Sequence, residues 1–160
     1  MNIKKFTQKS IEILNQLEQI AYDFGNQEIA QEHLLYSMLT VEDSLFAKLL
    51  QKMEIDPKVF QAQVEGLIGK RPKVEGGQVY VGNDLNKVLV YAENEANAMG
   101  DEYVSVEHLF LSLLRKPSKE VKELLKEFQI DRERFLQALS KIRGNQKVTT
   151  DNPEAVYESL

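Results

Sequence analysis

Apolar residues recur three and four positions apart along most of this chain, a spacing that predicts helices. Ile11, Leu14, Ala21 and Phe24 fall near one helical face, widened by Leu17 and Ile20, with Thr7 ahead of them as N-cap. Gly25 and Asn26 close this long first helix, because glycine tolerates the left-handed C-terminal position. A short helix is predicted over residues 32–39, and Asp43 and Ser44 can cap a third that carries Phe46, Leu49 and Leu50. Asp56-Pro57 opens a fourth, with Phe60, Val64 and Leu67 inward and Gly69 at its end. Aspartate caps, and proline at the first helical position gives up no needed N–H.

The plan then runs a second time. A long helix from Leu85 to Met99 stops at Gly100, and Ser105 caps a helix over residues 107–114. Pro117-Ser118 opens the next, with Val121, Leu124, Leu125 and Phe128; Asp131 caps the last, with Phe135, Leu139 and Ile142 inward. EHLLYSML at Glu32–Leu39 returns 75 residues later as EHLFLSLL at Glu107–Leu114. Leu14, Glu18, Ala21 and Gly25 return as Leu89, Glu93, Ala96 and Gly100, and Ile55, Asp56 and Phe60 as Ile130, Asp131 and Phe135. A fixed period held over this length marks a duplicated structural unit. The expectation is an all-α domain over residues 1–144, with about eight helices in two four-helix repeats related by a pseudo-twofold axis. Repeat one covers about 1–69 and repeat two about 83–144. Between them RPKVEGGQVYVG, rich in Pro and Gly, reads as a connecting loop over about 70–82. Residues 145–160 read as a polar linker and the start of another element at Asn152-Pro153-Glu154, as expected of an N-terminal piece of a longer protein.

Composition narrows the function. The 160 residues carry a net charge of -5, which argues against nucleic-acid binding. No apolar run approaches the ~18 residues of a membrane span, and MNIKKFTQKS lacks the apolar core of a secretory signal. The absence of cysteine removes disulfides and thiol chemistry and fits a reducing cytoplasm. Lys70, Arg71 and Lys73 form the densest basic cluster and read as a solvated loop. GLIGKR at Gly66–Arg71 has two residues between its glycines where a phosphate loop needs four, and no Ser or Thr follows its lysine. His33 and His108 each follow a glutamate in separate repeats, so they lack the one-turn spacing of a zinc pair and read as local hydrogen-bonding groups at helix starts. No catalytic residue and no metal ligand emerges.

What remains is binding chemistry. Thr7, Glu32, Asp101 and Glu107 lie at or near helix starts, where capping and dipole compensation compete with a second role: exposed carboxylates recognising a peptide's N–H groups or basic side chains. The repeats differ at Asn15-Gln16, which become Val90-Tyr91. Val88, Leu89, Val90 and Tyr91 are four apolar residues in a row, so some must leave the core stripe. They either pack on the other lobe or under the loop, or join Tyr80 and Val81 in a protein-binding patch.

The doubled EHL motif, FTQKS at Phe6–Ser10, GDEYVSVEHL at Gly100–Leu109 and the central RPKVEGG together resemble the Clp N-terminal repeat domain, which caps AAA+ unfoldases of the Clp family. The resemblance covers essentially the whole chain and is strongest to the ClpB disaggregase branch, whose linker IRGNQKV and TTDNPEAVYESL resemble. It implies a helical module without catalysis of its own and without a cofactor, ATP and magnesium being used by ATPase modules outside this chain. It implies capture of unfolded or aggregated polypeptide for delivery to the chaperone's own ATPase ring. A DnaK-type partner would be contacted elsewhere, and the isolated domain would be a monomer and the parent a hexamer. Thr7, Asp101 and Glu107 match family positions associated with substrate, beside an apolar groove. The hydroxyl residue that often opens the second repeat is replaced by Gly82 and Asn83, so the paired sites with which the related ClpC proteins read phosphorylated arginine are incomplete here. Two other readings are an adaptor- or degron-docking domain of a ClpC- or ClpA-type protease ATPase, and, from another class, a small helical hydrolase with a histidine-based site.

Overall fold

In the computed structural model, which describes residues 2–157, short helices form two lobes, with a 3-10 turn at Ile3–Lys5 ahead of them. Lobe one comprises α1 (Gln8–Asn15), α2 (Leu17–Asp23), strand β1 (Glu28–Ile29), α3 (Gln31–Thr40), α4 (Leu45–Lys52) and α5 (Pro57–Gly69). After β2 (Tyr80–Val81), lobe two comprises α6 (Asn83–Ala98), α7 (Val106–Arg115), α8 (Lys119–Glu127) and α9 (Arg132–Arg143), and α10 (Glu154–Tyr157) follows. Shifted by 75 residues, α3 coincides with α7, and α1 and α2 together coincide with α6. The long first helix expected of lobe one is therefore two: Gln16 separates them, its N–H reaching back to the Ile13 carbonyl at 3.3 Å.

The capping residues act as their chemistry predicts. Thr7, Ser44, Asp56, Ser118 and Asp131 accept backbone N–H groups at the starts of α1, α4, α5, α8 and α9. Gly25 and Gly100, both at positive φ, end α2 and α6. The next N–H then folds back onto the helix, from Asn26 to Ala21 and from Asp101 to Ala96.

The lobes exchange backbone. β2, which leads into lobe two, pairs in parallel with β1 of lobe one. Phe6, which leads into lobe one, pairs in parallel with Val104 of lobe two. Residues 80–81 are thus strand rather than free loop, and the segment before them is pinned by Val74 N–H to the Gly25 carbonyl (2.9 Å) and Asn26 Nδ2 to the Pro72 carbonyl (3.1 Å).

Beneath this exchange lies one continuous core. Five phenylalanines form a chain across both lobes: Phe135 to Phe110 (4.7 Å between ring centres), Phe110 to Phe46 (4.7 Å), Phe46 to Phe60 (6.0 Å) and Phe60 to Phe128 (5.0 Å). Gln31, fully buried, adds a polar clasp. Its amide donates to the carbonyls of Asp84 (2.9 Å) and Lys116 (2.8 Å) and accepts from Ser118 N–H (2.9 Å), all in lobe two.

The polar segment after α9 is held against the domain. Val148 is fully buried; its N–H donates to Asp101 Oδ1 (2.9 Å) and its carbonyl accepts from Glu102 N–H (2.8 Å). The Asp151 carbonyl accepts from Gln8 N–H (2.7 Å), one of the donors that the start of α1 leaves unpaired. Pro153 and Tyr157 are buried as well, and the rest of the predicted terminal element, residues 158–160, lies outside the described residues.

Since the phenylalanine chain crosses the lobes, Phe110→Ala should destabilise the whole domain by about 3–5 kcal/mol. Urea unfolding followed by circular dichroism should retain one transition, moved to lower denaturant.

Candidate functional site

Each lobe builds the same polar arrangement under its central helix. At the third position of α3, His33 Nδ1 accepts the Ala30 N–H (2.8 Å); at the same place in α7, His108 Nδ1 accepts the Ser105 N–H (2.8 Å). These rings fill the role that Glu or Gln takes in an ordinary capping box. With Nδ1 accepting, Nε2 carries the proton. It faces Asn26 Oδ1 at 3.0 Å in lobe one and Asp101 Oδ2 at 2.7 Å in lobe two. Both rings are buried with both nitrogens engaged, so neither histidine presents a free base to a reactant. Among the described residues, no three His, Asp or Glu side chains gather where a metal could sit.

Asn26 in one lobe and Asp101 in the other set different electrostatics. Asp101 also takes Arg143 Nη2 and the Val148 N–H on Oδ1. Burial works against its charge, but the bonds from His108, Arg143 and Val148, with the Arg143 charge, prevail and hold the Asp101 carboxyl down at about 2. Arg143 turns its other arm to Glu107 (3.4 Å), which also accepts from the Ser105 hydroxyl. In lobe one Arg71 is shared between Glu32 (3.0 Å) and Glu28. Burial, then the Arg71 charge, hold the His33 ring down at about 4.

This geometry corrects the expectation of exposed carboxylates. Glu32, Asp101 and Glu107 are buried, and each already faces an arginine. Thr7 is buried too: its oxygen accepts from Ser10 N–H (3.2 Å) and its hydroxyl donates to Ser10 Oγ (2.9 Å). Arg71 and Arg143 are the residues that sequence reasoning missed. Arg71 belongs to the basic cluster read as solvated, yet it reaches back into lobe one, and Lys73 Nζ donates to the Phe24 carbonyl (3.1 Å). Arg143 ends a helix, where a cation suits the dipole, and nothing in its spacing announces a buried partner. The missing hydroxyl at Gly82 also finds a cause. A Cβ there would stand 2.8 Å from Glu28 Cγ, so a larger residue would displace Glu28 from its place beside Arg71.

The open part of the site is apolar. Val90 and Tyr91 are 57% and 40% exposed; Tyr80 and Val81, just before α6, are 52% and 44% exposed. Val90 lies on the side of α6 opposite buried Leu85, Val88 and Ala92, so it packs neither on lobe one nor under the loop. From the start of α6 to Val90 is about 10 Å along the axis. Lys116 Nζ stands 5.7 Å from the centre of the Tyr91 ring, within cation–π reach.

Two like helical lobes that exchange strands over a shared core define a double-repeat all-α domain. The family described as the Clp repeat (R) N-terminal domain matches residues 5–128, and the chain belongs to it. The chaperone protein ClpB of Nitratidesulfovibrio vulgaris is 42% identical over all of this chain, and that of Bacillus cereus 36% identical over all of it. The chain spans 19% of the length of each. Among solved structures, the Hsp104 N-terminal domain from Candida albicans superposes with a TM-score of 0.81 at 20% identity, covering 94% of this chain and 99% of that one. The N-terminal domain of ClpD from Arabidopsis thaliana gives 0.69 at 16% identity, covering 90% and 98%. No described helix is long and apolar enough to cross a membrane.

Two outcomes test the interior. His33 binds fewer protons folded than unfolded between its usual 6.5 and about 4, so its contribution to stability is complete above 6.5 and is lost as pH falls through that window. It should make the domain about 2 kcal/mol less stable at pH 5 than at pH 7.5. His33→Gln, which can still accept the Ala30 N–H and donate to Asn26, should remove that part of the pH dependence in urea titrations. Arg143→Met strands two buried carboxylates and should cost about 3–5 kcal/mol by the same measurement at pH 7.5.

Proposed function

We propose that this domain is the substrate-engaging element of a ClpB-type chaperone, capturing extended, partly apolar segments of unfolded or aggregated polypeptide on the open face of lobe two. The observation that supports this most is the solvent exposure of Tyr80, Val81, Val90 and Tyr91 around β2 and α6. Lobe one has Asn15 and Gln16 where lobe two has Val90 and Tyr91. Thr7, Glu32, Asp101 and Glu107 serve the same function indirectly, by fixing the helices that hold the face in place.

A patch of this size binds weakly, and weakness suits a segment that must next be released. A tether to the chaperone's ATPase ring would keep a captured segment at high local concentration without tight contact. The parent assembly, on this reading, is a cytoplasmic hexamer that uses ATP and magnesium and works with a DnaK-type partner, all through parts outside this chain.

Titration of the 15N-labelled chain with an unfolded protein should move the amide signals of Tyr80, Val81, Val90 and Tyr91 first. Tyr91→Ala should weaken binding about fivefold or more while leaving the rest of the spectrum in place. Signals that stay still at high substrate concentration would remove this surface from the function.

A further inference from the structure

The face around Tyr91 carries charge as well as carbon. Glu95, one turn further along α6, is buried and accepts Arg115 Nε on one oxygen (2.6 Å) and Arg132 Nη2 on the other (2.8 Å). One anion thus answers two guanidiniums, and Arg132 Nη1 is buried without an acceptor. Lys116 adds a third cation that pairs with no carboxylate among the described residues and stands over Tyr91. Tyr91, Asn94, Glu95, Arg115 and Lys116 line a single cleft. In a chain of net charge -5, this cleft holds two cations, Arg115 and Lys116, to one anion, Glu95, whose charge is shared with Arg132 behind it.

We infer that the cleft seats a carboxylate side chain of the captured segment, an Asp or Glu flanked by the apolar residues that pack on Val90 and Tyr91. The inference rests on the reading above and adds a charge preference to it. A carboxylate entering beside Tyr91 meets Lys116 and the half-exposed Arg115. Burial of Glu95 makes the cluster permanent: its single charge holds both arginines in position without neutralising them. A basic residue at the same place on the segment would face net repulsion, so the cleft discriminates as well as attracts.

The experiment compares two synthetic decapeptides, identical in their Tyr, Val and Leu residues and differing only in a central Glu or Gln. Each is titrated into the 15N-labelled chain and read by NMR. The Glu peptide should bind about fivefold tighter in 50 mM salt and should shift the Nε–Hε signal of Arg115. The advantage should disappear in 500 mM salt and fall to about twofold or less in Lys116→Gln, a substitution that breaks no ion pair among the described residues. Equal affinity for the two peptides, with Val90 and Tyr91 still shifting, would overturn the charge preference and leave the capture surface standing. A full advantage surviving in Lys116→Gln would overturn its assignment to this cleft. No shift at Val90 or Tyr91 with either peptide would overturn the capture surface itself, and this inference with it.

Discussion

A carboxylate placed inside a protein must be met by a cation, and this domain buries one at the second position of each central helix. Glu32 and Glu107 impose that demand in the same register, and much of the rest of the chain answers it. In lobe one the answer is Arg71, which draws the segment after α5 back across the domain and so sets up the pairing of β2 with β1. In lobe two the answer is Arg143, at the last turn of α9. The aspartate that shares Arg143 then requires a further donor, which Val148 supplies, and the tail is drawn in to complete the set. The repeats share the glutamate they bury and differ in how they compensate it, lobe two adding a second buried carboxylate, Asp101, where lobe one has Asn26.

The two halves are not separable units that touch. Each leading strand pairs with the other lobe, the phenylalanine chain passes through both, and Gln31 of lobe one satisfies three backbone groups of lobe two. Loss of one half would expose rings and strand the groups that Gln31 serves, so the domain gains its stability as one body. This is what allows α6 to leave Val90 and Tyr91 in solvent: the helix is anchored by its opposite face.

The helices, their caps and the duplication were legible because each follows from local chemistry. Hydrophobic spacing located the helical segments of the two lobes, and Gly25, Gly100, Asp56 and Asp131 marked their ends. The break at Gln16 was not legible, since the apolar stripe runs across it. Neither were Glu54 and Gln129, which adopt the left-handed conformation at equivalent places without a glycine to signal it. Of the candidate site, sequence spacing led to Val90 and Tyr91 because four apolar residues cannot share one helical face. It could not decide the exposure of Glu32, Asp101 and Glu107, because burial of a carboxylate depends on an arginine tens of residues away. The polar segment from residue 145, read as a linker, is held against the domain by one buried apolar residue, Val148, and a few backbone bonds.

The reciprocal pairing of Phe6 with Val104 and of Val81 with Ile29 bears on how such a domain could arise. The segment that leads into each repeat finds its partner only in the other repeat. A single ancestral repeat would have met that requirement by joining a second copy of itself, each lending its leading strand across a true twofold axis. Joining the two copies end to end kept the strand exchange and released each half from having to remain identical to the other. One half could then close its surface with polar residues while the other kept an apolar one open.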